Sequence, residues 1–327
     1  MLMPKIYITR RIPEVGIKIL KDKGYEVDIS PKDRVLSKKE LIKSLKIKPY
    51  DAVLCLLTDK IDGDVFDAAP NAKIFANYAA GFDNIDLKAA KRKSVMVSNT
   101  PDVLVEAVAE HAVALMLVLA RRIVEADNFA RKGKYKGWAP MLLLGDGLFG
   151  KTVGIIGLGR IGAKTAHIVS QGFGAKIVYY DLKRNENFEK EFPGGSVEFK
   201  PSIDEVLKKA DFVSIHLPLT EQTRRIINKE KLALMKPTAY LVNTSRGPII
   251  DENALVEALK NKIIKGAALD VFENEPKISR ALLKMDNVVL TPHIASATEE
   301  TRAKMAEVAA HNIIEALEGR IPPNLIK

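Results

Sequence analysis

The stretch Lys151-Thr-Val-Gly-Ile-Ile-Gly157-Leu-Gly159-Arg160-Ile161-Gly162 decides the fold of this chain. It begins as an apolar run typical of a buried strand, passes through a GxGxxG sequence, and continues into an amphipathic helical pattern. A second strand pattern, Lys176–Tyr180, ends at Asp181, nineteen residues after Gly162. This order predicts a βαβ unit that binds a dinucleotide. A glycine-rich turn without a ligand is the alternative, and the complete strand, loop, helix and strand order argues against it.

Each glycine of the loop has a separate physical role. Gly157 permits the tight turn, Gly159 lets the backbone approach a pyrophosphate, and Gly162 lets the helix pack close to the strand while its N-terminus favours negative charge. Asp181 would accept hydrogen bonds from the adenosine ribose hydroxyls and repel a 2′-phosphate, which predicts NAD(H) as the preferred cofactor. The basic pair Lys183-Arg184 follows so closely that NADP(H) is kept as a second cofactor.

Strand and helix patterns alternate along the whole chain, which indicates an α/β fold with two doubly wound parallel sheets. The first hundred residues contain the strand patterns Lys5–Thr9, Tyr25–Ile29, Ala52–Cys55, Lys73–Asn77 and Val95–Ser98. A long apolar helix follows Pro101, and the second series comprises Thr152–Ile156, Lys176–Tyr180, Phe212–Leu217, Ala239–Asn243, Ala267–Val271 and Val288–Leu290. The last helix, from Thr298 to Gly319, is too short for a third domain, so we expect it to pack on one of the other two.

Composition excludes several classes of protein. The chain has 327 residues, 47% of them hydrophobic, and a single cysteine, which predicts a cytoplasmic protein without a disulfide or a metal site. The most apolar stretch, Val103–Ala120, carries three polar or charged residues, so no membrane association is expected. The net charge of +10 divides into +6 for residues 1–100, +5 for 101–290 and −1 for 291–327. Because this excess is spread out, we expect no nucleic-acid partner.

Three polar residues follow predicted strands of the second series. Arg246, Glu275 and His293 each lie in the loop after a strand, where open parallel sheets place their ligands. Taken singly, they could be a surface ion pair, an exposed loop acid and a core histidine. Taken together, they form a coherent candidate catalytic site.

The sequence resembles the D-isomer-specific 2-hydroxyacid dehydrogenases over essentially the whole chain, and is most similar to their glyoxylate/hydroxypyruvate reductases. The motifs that carry the resemblance are AGFDNID at 80–86, NTPDVL at 99–104, GLGRIG at 157–162, HLPLT at 216–220, MKPTAYLVNTSRGPIID at 235–251, GAALDVFENEP at 266–276 and NVVLTPHIASAT at 287–298. The resemblance implies a Rossmann NAD-binding domain, residues 101–290, inserted into a smaller flavodoxin-like substrate domain, residues 1–100 plus 291–327.

The resemblance also implies roles for the three polar residues in reducing a small 2-oxoacid, glyoxylate or hydroxypyruvate, to the D-2-hydroxy acid. Arg246 would bind the substrate carboxylate and the C2 carbonyl. His293 would protonate the carbonyl oxygen, and Glu275 would orient the imidazole and favour its charged form.

Further site residues follow from the same resemblance. Backbone amides at Ala80 and Gly81 would complete a carboxylate cradle, Leu56 would line the substrate side chain, and Trp138 would reach the site of a partner subunit. Each has an alternative as a turn or packing residue. The implied cofactor contacts are Gly157, Leu158, Gly159, Arg160, Ile161, Gly162, Asp181, Leu217, Pro218, Thr244, Ser245, Arg246, Asp270, His293 and Ala295, with Asp270 orienting the nicotinamide carboxamide.

Two other functions stay open at this point. A short-type D-3-phosphoglycerate dehydrogenase has the same architecture, and C-terminal-binding-protein corepressors keep the trio while acting as NAD-sensing interaction proteins. We also expect a homodimer, because the nearly charge-free stretch Ala112–Ala120 predicts a large apolar contact surface.

Overall fold

Two parallel sheets, each with helices between its strands, organise the chain. The computed structural model describes residues 3–192 and 196–326. The chain divides into a first unit, Met1–Leu104 with Ser296–Lys327, and a second unit, Val105–Ala295. The prediction of two parallel-sheet α/β domains is confirmed. The divisions fall after Leu104 and Ala295, where the sequence analysis placed them after residues 100 and 290.

The first unit has a five-stranded sheet in the order β2-β1-β3-β4-β5, with all pairs parallel. Its strands are β1 (Lys5–Ile8), β2 (Glu26–Ile29), β3 (Ala52–Leu56), β4 (Ile74–Tyr78) and β5 (Met96–Ser98). Its helices are α1 (Glu14–Asp22), α2 (Lys38–Leu45), α3 (Gly63–Ala68), α4 (Leu87–Arg92) and the C-terminal helix Glu299–Leu317. The central strands β3 and β4 are apolar and almost fully buried, as expected for strands covered on both faces.

The C-terminal helix packs on α1 of the same unit. Thr298 caps its N-terminus by accepting a hydrogen bond from the Thr301 N–H at 3.1 Å. A Cβ at Gly16 of α1 would lie 2.7 Å from the carbonyl oxygen of Ala306, so only glycine permits this close helix contact. The Tyr78 hydroxyl, at the end of β4, donates to the Arg302 carbonyl at 2.6 Å.

The second unit has a seven-stranded sheet in the order β12-β11-β10-β9-β6-β7-β8. Its strands are β6 (Thr152–Ile156), β7 (Lys176–Tyr180), β8 (Val197–Phe199), β9 (Phe212–Ile215), β10 (Tyr240–Asn243), β11 (Gly266–Leu269) and β12 (Val288–Leu290). Its helices are α5 (Val105–Ala120), α6 (Ile123–Arg131), α7 (Arg160–Phe173), α8 (Glu186–Lys190), α9 (Ile203–Lys209), α10 (Lys229–Leu232) and α11 (Glu252–Lys260). The chain reverses its direction of winding between β6 and β9, which is where open sheets of this kind bind ligands.

Helix α5 accounts for the most apolar stretch of the sequence. Ala112, Met116 and Ala120 are completely buried within the second unit, where α5 packs on α7 and on β10 to β12. The expectation that this stretch needs a partner subunit is therefore wrong for these residues, because their own unit covers them. Within the described residues, no helix combines the length and the apolar character that a membrane span requires.

Candidate active site

The glycine-rich loop joins β6 to α7 and leaves room beside its middle glycine. Gly157 has a φ of +95°, and a Cβ there would lie 2.7 Å from the carbonyl oxygen of His216. At Gly162 a Cβ would lie 2.1 Å from the Gly157 carbonyl oxygen, so α7 could not start this close to the strand. Gly159, the N-cap of α7, has no atom within 4 Å of its Cβ position among the described residues. A ligand can therefore approach the helix N-terminus directly.

Asp181 lies at the end of β7, beside this loop. One of its carboxylate oxygens accepts a hydrogen bond from the Leu158 N–H at 2.7 Å, and the other accepts from the Leu182 N–H at 2.6 Å. Leu158 and Asp181 line a surface pocket of about 480 Å³ together with Lys183 and Arg184. The carboxylate is thus fixed in the lining of a pocket that two cations also line.

The two cations of this pocket are not equivalent. The Arg184 guanidinium pairs with Glu189, with Nη2 2.7 Å from Oε2 and Nε 3.0 Å from Oε1. Glu189 also accepts the Tyr179 hydroxyl at 2.7 Å, and the hydrogen bonds from Arg184 and Tyr179 hold the pKa of Glu189 below its usual value. Arg184 is therefore already engaged, which leaves Lys183 as the more readily available cation for a further phosphate.

The residues after β9 and β10 extend the same edge of the sheet. Leu217 and Pro218 follow β9, where Leu217 is half-buried and Pro218 is exposed, while Thr244 and Ser245 follow β10. The Ser245 hydroxyl donates to the Asn243 side chain at 2.7 Å, whereas the buried Thr244 hydroxyl has no hydrogen-bond partner among the described residues. A buried hydroxyl without a partner at this position suits a polar ligand group. The loop, Asp181 and Thr244 fit a nicotinamide dinucleotide.

His293 and Glu275 are in direct contact. The His293 Nδ1 atom lies 2.9 Å from Oε2 of Glu275, and Oε1 of Glu275 accepts the Phe272 N–H at 3.0 Å. Because a carboxylate accepts hydrogen bonds, Nδ1 carries the proton of this contact and Nε2 is left for a reactant. About a quarter of the His293 side chain is exposed, so a small molecule can reach the ring.

The loop that presents His293 is anchored by Asp270, whose side chain is completely buried. Its Oδ1 accepts the Thr291 hydroxyl at 2.6 Å and the Ile294 N–H at 2.8 Å, and its Oδ2 accepts the Ala295 N–H at 2.8 Å. His293 itself has a φ of +56°, a left-handed conformation that costs a non-glycine residue energy. The Asp270 contacts hold the loop in this shape.

His111 of α5 also contacts the residues that hold the His293 loop. Its Nε2 lies 3.1 Å from the Thr291 hydroxyl oxygen and 3.5 Å from Oδ1 of Asp270. Burial by itself would raise the pKa of Asp270, but the hydrogen bonds from His111, Thr291 and two backbone N–H groups outweigh it and lower the pKa. The sequence resemblance predicts a contact of Asp270 with the cofactor and gives no role to His111 or Thr291. A histidine in the most apolar stretch of the sequence was the available signal.

Arg246 is the third residue of the loop after β10, and its backbone is fixed on both sides. The Asn243 side chain donates to the Arg246 carbonyl at 2.9 Å. A Cβ at the next residue, Gly247, would lie 1.9 Å from the backbone carbon of Phe272, so this loop packs directly on the one that leads to Glu275. Arg246, Glu275 and His293 thus all follow strands of one sheet edge in the second unit.

The expected substrate residues of the first unit also lie at one sheet edge. Leu56 is the last residue of β3, and Ala80 and Gly81 follow β4, the neighbouring strand. All three are half-buried. Trp138 belongs to the second unit and is 82% exposed, so its own unit does not provide its packing partner.

Comparison with known proteins places the chain among dehydrogenases. The family described as D-isomer specific 2-hydroxyacid dehydrogenase, NAD binding domain, matches residues 113–295. A glyoxylate reductase of Thermofilum pendens is 51% identical, with 100% of this chain and 95% of the relative aligned. A glyoxylate reductase of Pyrococcus furiosus is 47% identical, with 99% and 96% aligned.

Solved structures show the same similarity. A crystal structure of a Thermus thermophilus protein has a TM-score of 0.91 at 41% identity, covering 99% of this chain and 100% of that one. The NADPH-dependent glyoxylate/hydroxypyruvate reductase of Sinorhizobium meliloti, in complex with NADP and malonate, has a TM-score of 0.84 at 31% identity, covering 99% and 96%.

Proposed function

The chain belongs to the D-isomer-specific 2-hydroxyacid dehydrogenase family, and from this membership we propose that it reduces glyoxylate with a nicotinamide cofactor. The observation that carries the proposal is the 2.9 Å contact of His293 with Glu275 on the sheet edge that also holds Arg246 and the glycine-rich loop. Glyoxylate reductases at 46–51% identity support the substrate. Hydroxypyruvate is the second 2-oxoacid, supported by the name of the Sinorhizobium meliloti neighbour.

Arg246 binds and orients the 2-oxoacid in this proposal. A guanidinium presents parallel N–H donors that match the geometry of a carboxylate, and one donor can also polarise the adjacent carbonyl. The Asn243 hydrogen bond and the close packing of Gly247 hold the Arg246 backbone in place, so the side chain extends from a fixed position.

His293 supplies the proton. A bound cofactor would deliver hydride to the substrate carbonyl carbon, and the oxygen then needs a proton from a nearby acid. The Nε2 atom of His293 donates that proton while Glu275, across the 2.9 Å contact at Nδ1, stabilises the charged ring before transfer. In the reverse direction the neutral ring accepts the proton from the 2-hydroxy acid.

We propose NADH as the preferred cofactor, with NADPH as the poorer one. The Asp181 carboxylate, which lines this pocket, can accept from ribose hydroxyls and would repel a 2′-phosphate. Arg184, the stronger phosphate ligand of the basic pair, is engaged by Glu189. The NADPH-dependent neighbour shows that proteins with this fold also use the phosphorylated cofactor.

The two units have different roles in this proposal. The second unit binds the cofactor and carries the catalytic trio, as the match of an NAD-binding family to residues 113–295 supports. The first unit supplies Leu56 beside the substrate side chain and the backbone N–H groups of Ala80 and Gly81 for its carboxylate.

We further propose a homodimer that forms through residues 123–149 of the second unit. Helix α6 has no buried residue, and Trp138, Met141 and Phe149 are 82%, 76% and 76% exposed. Apolar side chains in such density predict a contact with another protein surface, and a second copy of the chain is the simplest one. A cytoplasmic location is part of the same proposal, supported by the free thiol of Cys55.

A panel of initial rates tests the function. Glyoxylate, hydroxypyruvate, pyruvate and 3-phosphohydroxypyruvate are each measured with NADH and with NADPH. We expect glyoxylate with NADH to give the highest kcat/KM, and Arg246→Ala to lower it by at least about tenfold, with only weak rescue by Arg246→Lys. A preference for 3-phosphohydroxypyruvate would identify a phosphoglycerate dehydrogenase. NADH binding without turnover of any of the four acids would favour the alternative function, an NAD-sensing interaction protein.

A further inference from the structure

The loop after β4 is held by its carbonyl oxygens. The Ala79 carbonyl accepts the Thr100 N–H at 2.8 Å, and the Ala80 carbonyl accepts the Asn99 side-chain amide at 2.6 Å. The Gly81 carbonyl accepts the Asn77 side-chain amide at 2.9 Å. Three successive carbonyl groups of this loop are therefore held by hydrogen bonds.

The N–H groups of the same loop have no such partners. Throughout residues 3–192 and 196–326, no acceptor takes a hydrogen bond from the N–H of Ala80 or of Gly81. In a planar trans peptide the C=O of one residue points opposite to the N–H of the next. The Thr100 contact therefore aims the Ala80 N–H away from Thr100, and the Asn99 contact aims the Gly81 N–H away from the Asn99 side chain. Successive backbone N–H groups without partners can together bind an anion.

The Asn99 contact restrains the peptide that is most free to turn. Rotation of the peptide between Ala80 and Gly81 changes φ at Gly81, and glycine tolerates values that other residues avoid. Without the Asn99 amide, the Ala80 carbonyl could therefore swing into the position that the Gly81 N–H occupies. A carbonyl oxygen there would repel an anion instead of binding it.

Asn99 is itself held firmly. Its carbonyl accepts the Asn312 side-chain amide at 3.2 Å, and its N–H donates to the Asn324 carbonyl at 3.3 Å. Both partners belong to the C-terminal segment of the first unit. The side-chain donor therefore starts from a backbone that is fixed on both of its polar groups.

We propose that Asn99 is a positioning residue for substrate binding, which keeps the Gly81 N–H aimed at the substrate carboxylate by holding the Ala80 carbonyl. The inference rests on the proposed function, because it names a further residue of that same carboxylate site. The side chain acts as a donor, so a residue of equal size that cannot donate fails in its place.

The test compares Asn99→Asp, Asn99→Leu and Asn99→Gln with wild type. Asp has the size of Asn but sets a carboxylate oxygen against the Ala80 carbonyl, and Leu removes the polar group. For both variants we expect the KM for glyoxylate and the inhibition constant for oxalate to rise about tenfold or more, the scale of a hydrogen bond to a charged group. We expect kcat to change less than about threefold and the Kd for NADH to stay constant. Because Asn99→Gln keeps a donor, we expect a smaller rise in its KM and in its inhibition constant for oxalate.

Tyr78→Phe is the matched control. It removes a 2.6 Å hydrogen bond from a side chain to a carbonyl in the same unit, next to the loop in sequence, without touching the loop carbonyls. We expect it to leave KM and oxalate inhibition unchanged. If Asn99→Leu does not fold, Asn99→Asp is the deciding variant. If Asn99 serves only in packing, this isosteric variant should keep the KM and the oxalate inhibition of wild type. If Asn99 acts as a donor, both constants should rise about tenfold.

The outcomes separate this inference from the proposed function. If wild type reduces glyoxylate and loses activity with Arg246→Ala, but Asn99→Asp keeps normal KM and oxalate inhibition, the inference is wrong and the function stands. If wild type neither reduces glyoxylate nor binds oxalate with NADH present, the proposed function fails and the inference fails with it.

Discussion

Replacing Thr244 by Val should make the cofactor-free protein more stable and its complex with NADH weaker. The Thr244 hydroxyl is buried at the end of β10 without a hydrogen-bond partner among the described residues. Val keeps the branched shape of Thr and replaces the hydroxyl by a methyl group. The substitution therefore removes a desolvated polar atom without opening a cavity.

The expected size follows from the cost of leaving a polar group unpaired. A buried unsatisfied hydroxyl costs about 1–3 kcal/mol, and about 1 kcal/mol shifts Tm by about 2–4 °C in domains of roughly this size. We expect the Tm of the free protein to rise by about 2–12 °C. If the hydroxyl binds the cofactor, the variant loses a hydrogen bond of about 0.5–1.5 kcal/mol, and the Kd for NADH rises about two- to tenfold.

Thermal unfolding without ligand and fluorescence titration with NADH measure the two effects. Thr165→Val is the matched control, because the buried Thr165 hydroxyl is satisfied by the Ile161 carbonyl at 2.9 Å. That variant should gain no stability. If Thr244→Val lowered the Tm as well, a water molecule would satisfy the hydroxyl in the free protein. An unchanged Kd would show that Thr244 does not bind the cofactor.

Three further predictions concern the second unit. Asp181→Ala should raise kcat/KM with NADPH and lower it with NADH, each by about tenfold, because it removes both the ribose acceptor and the repulsion of a 2′-phosphate. If steady-state assays showed kcat/KM falling with both cofactors, Asp181 would have a structural role only. His293→Asn should lower kcat at least ~100-fold at an unchanged Kd for NADH, and a loss below about tenfold would exclude His293 as the acid. Asp270 has a lowered pKa, so its contribution to stability is full above about pH 4 and disappears as the pH falls through that lowered value. Asp270→Asn should therefore destabilise the protein at pH 7 and make its free energy of unfolding fall less steeply between neutral and acid pH. A fall as steep as that of wild type would contradict the stabilising role of the Asp270 carboxylate.

Local patterns predicted most of the fold. The bounds of β6, β7 and β12 agree with the sequence prediction, since each is a compact apolar run bounded by polar or turn residues. The three-residue strand β8 was missed, because it lies at the sheet edge and contains an exposed Glu198 that breaks the apolar run. Helix α6 was also missed, and none of its residues is buried.

The site was predictable only in part. Sequence motifs located Arg246, Glu275 and His293, because each stands in a recognisable loop after a strand. The residues that hold these loops in place are different. His111 lies 180 positions from Thr291, and Asn99 lies 19 positions from Ala80, so only the folded chain brings them together. Side-chain hydrogen bonds to backbone carbonyls leave no periodic trace in a sequence.

The position of the C-terminal helix in the first unit has a consequence for biosynthesis. Residues 105–295 leave the ribosome as one continuous segment with its own core and can fold while translation continues. The first unit cannot be completed at that stage, because α1 lacks the helix that packs against Gly16 and Asn99 lacks Asn312 and Asn324. A nascent chain would thus acquire its glycine-rich loop early, while the N–H groups of Ala80 and Gly81 would be set in place only after the last thirty or so residues have emerged.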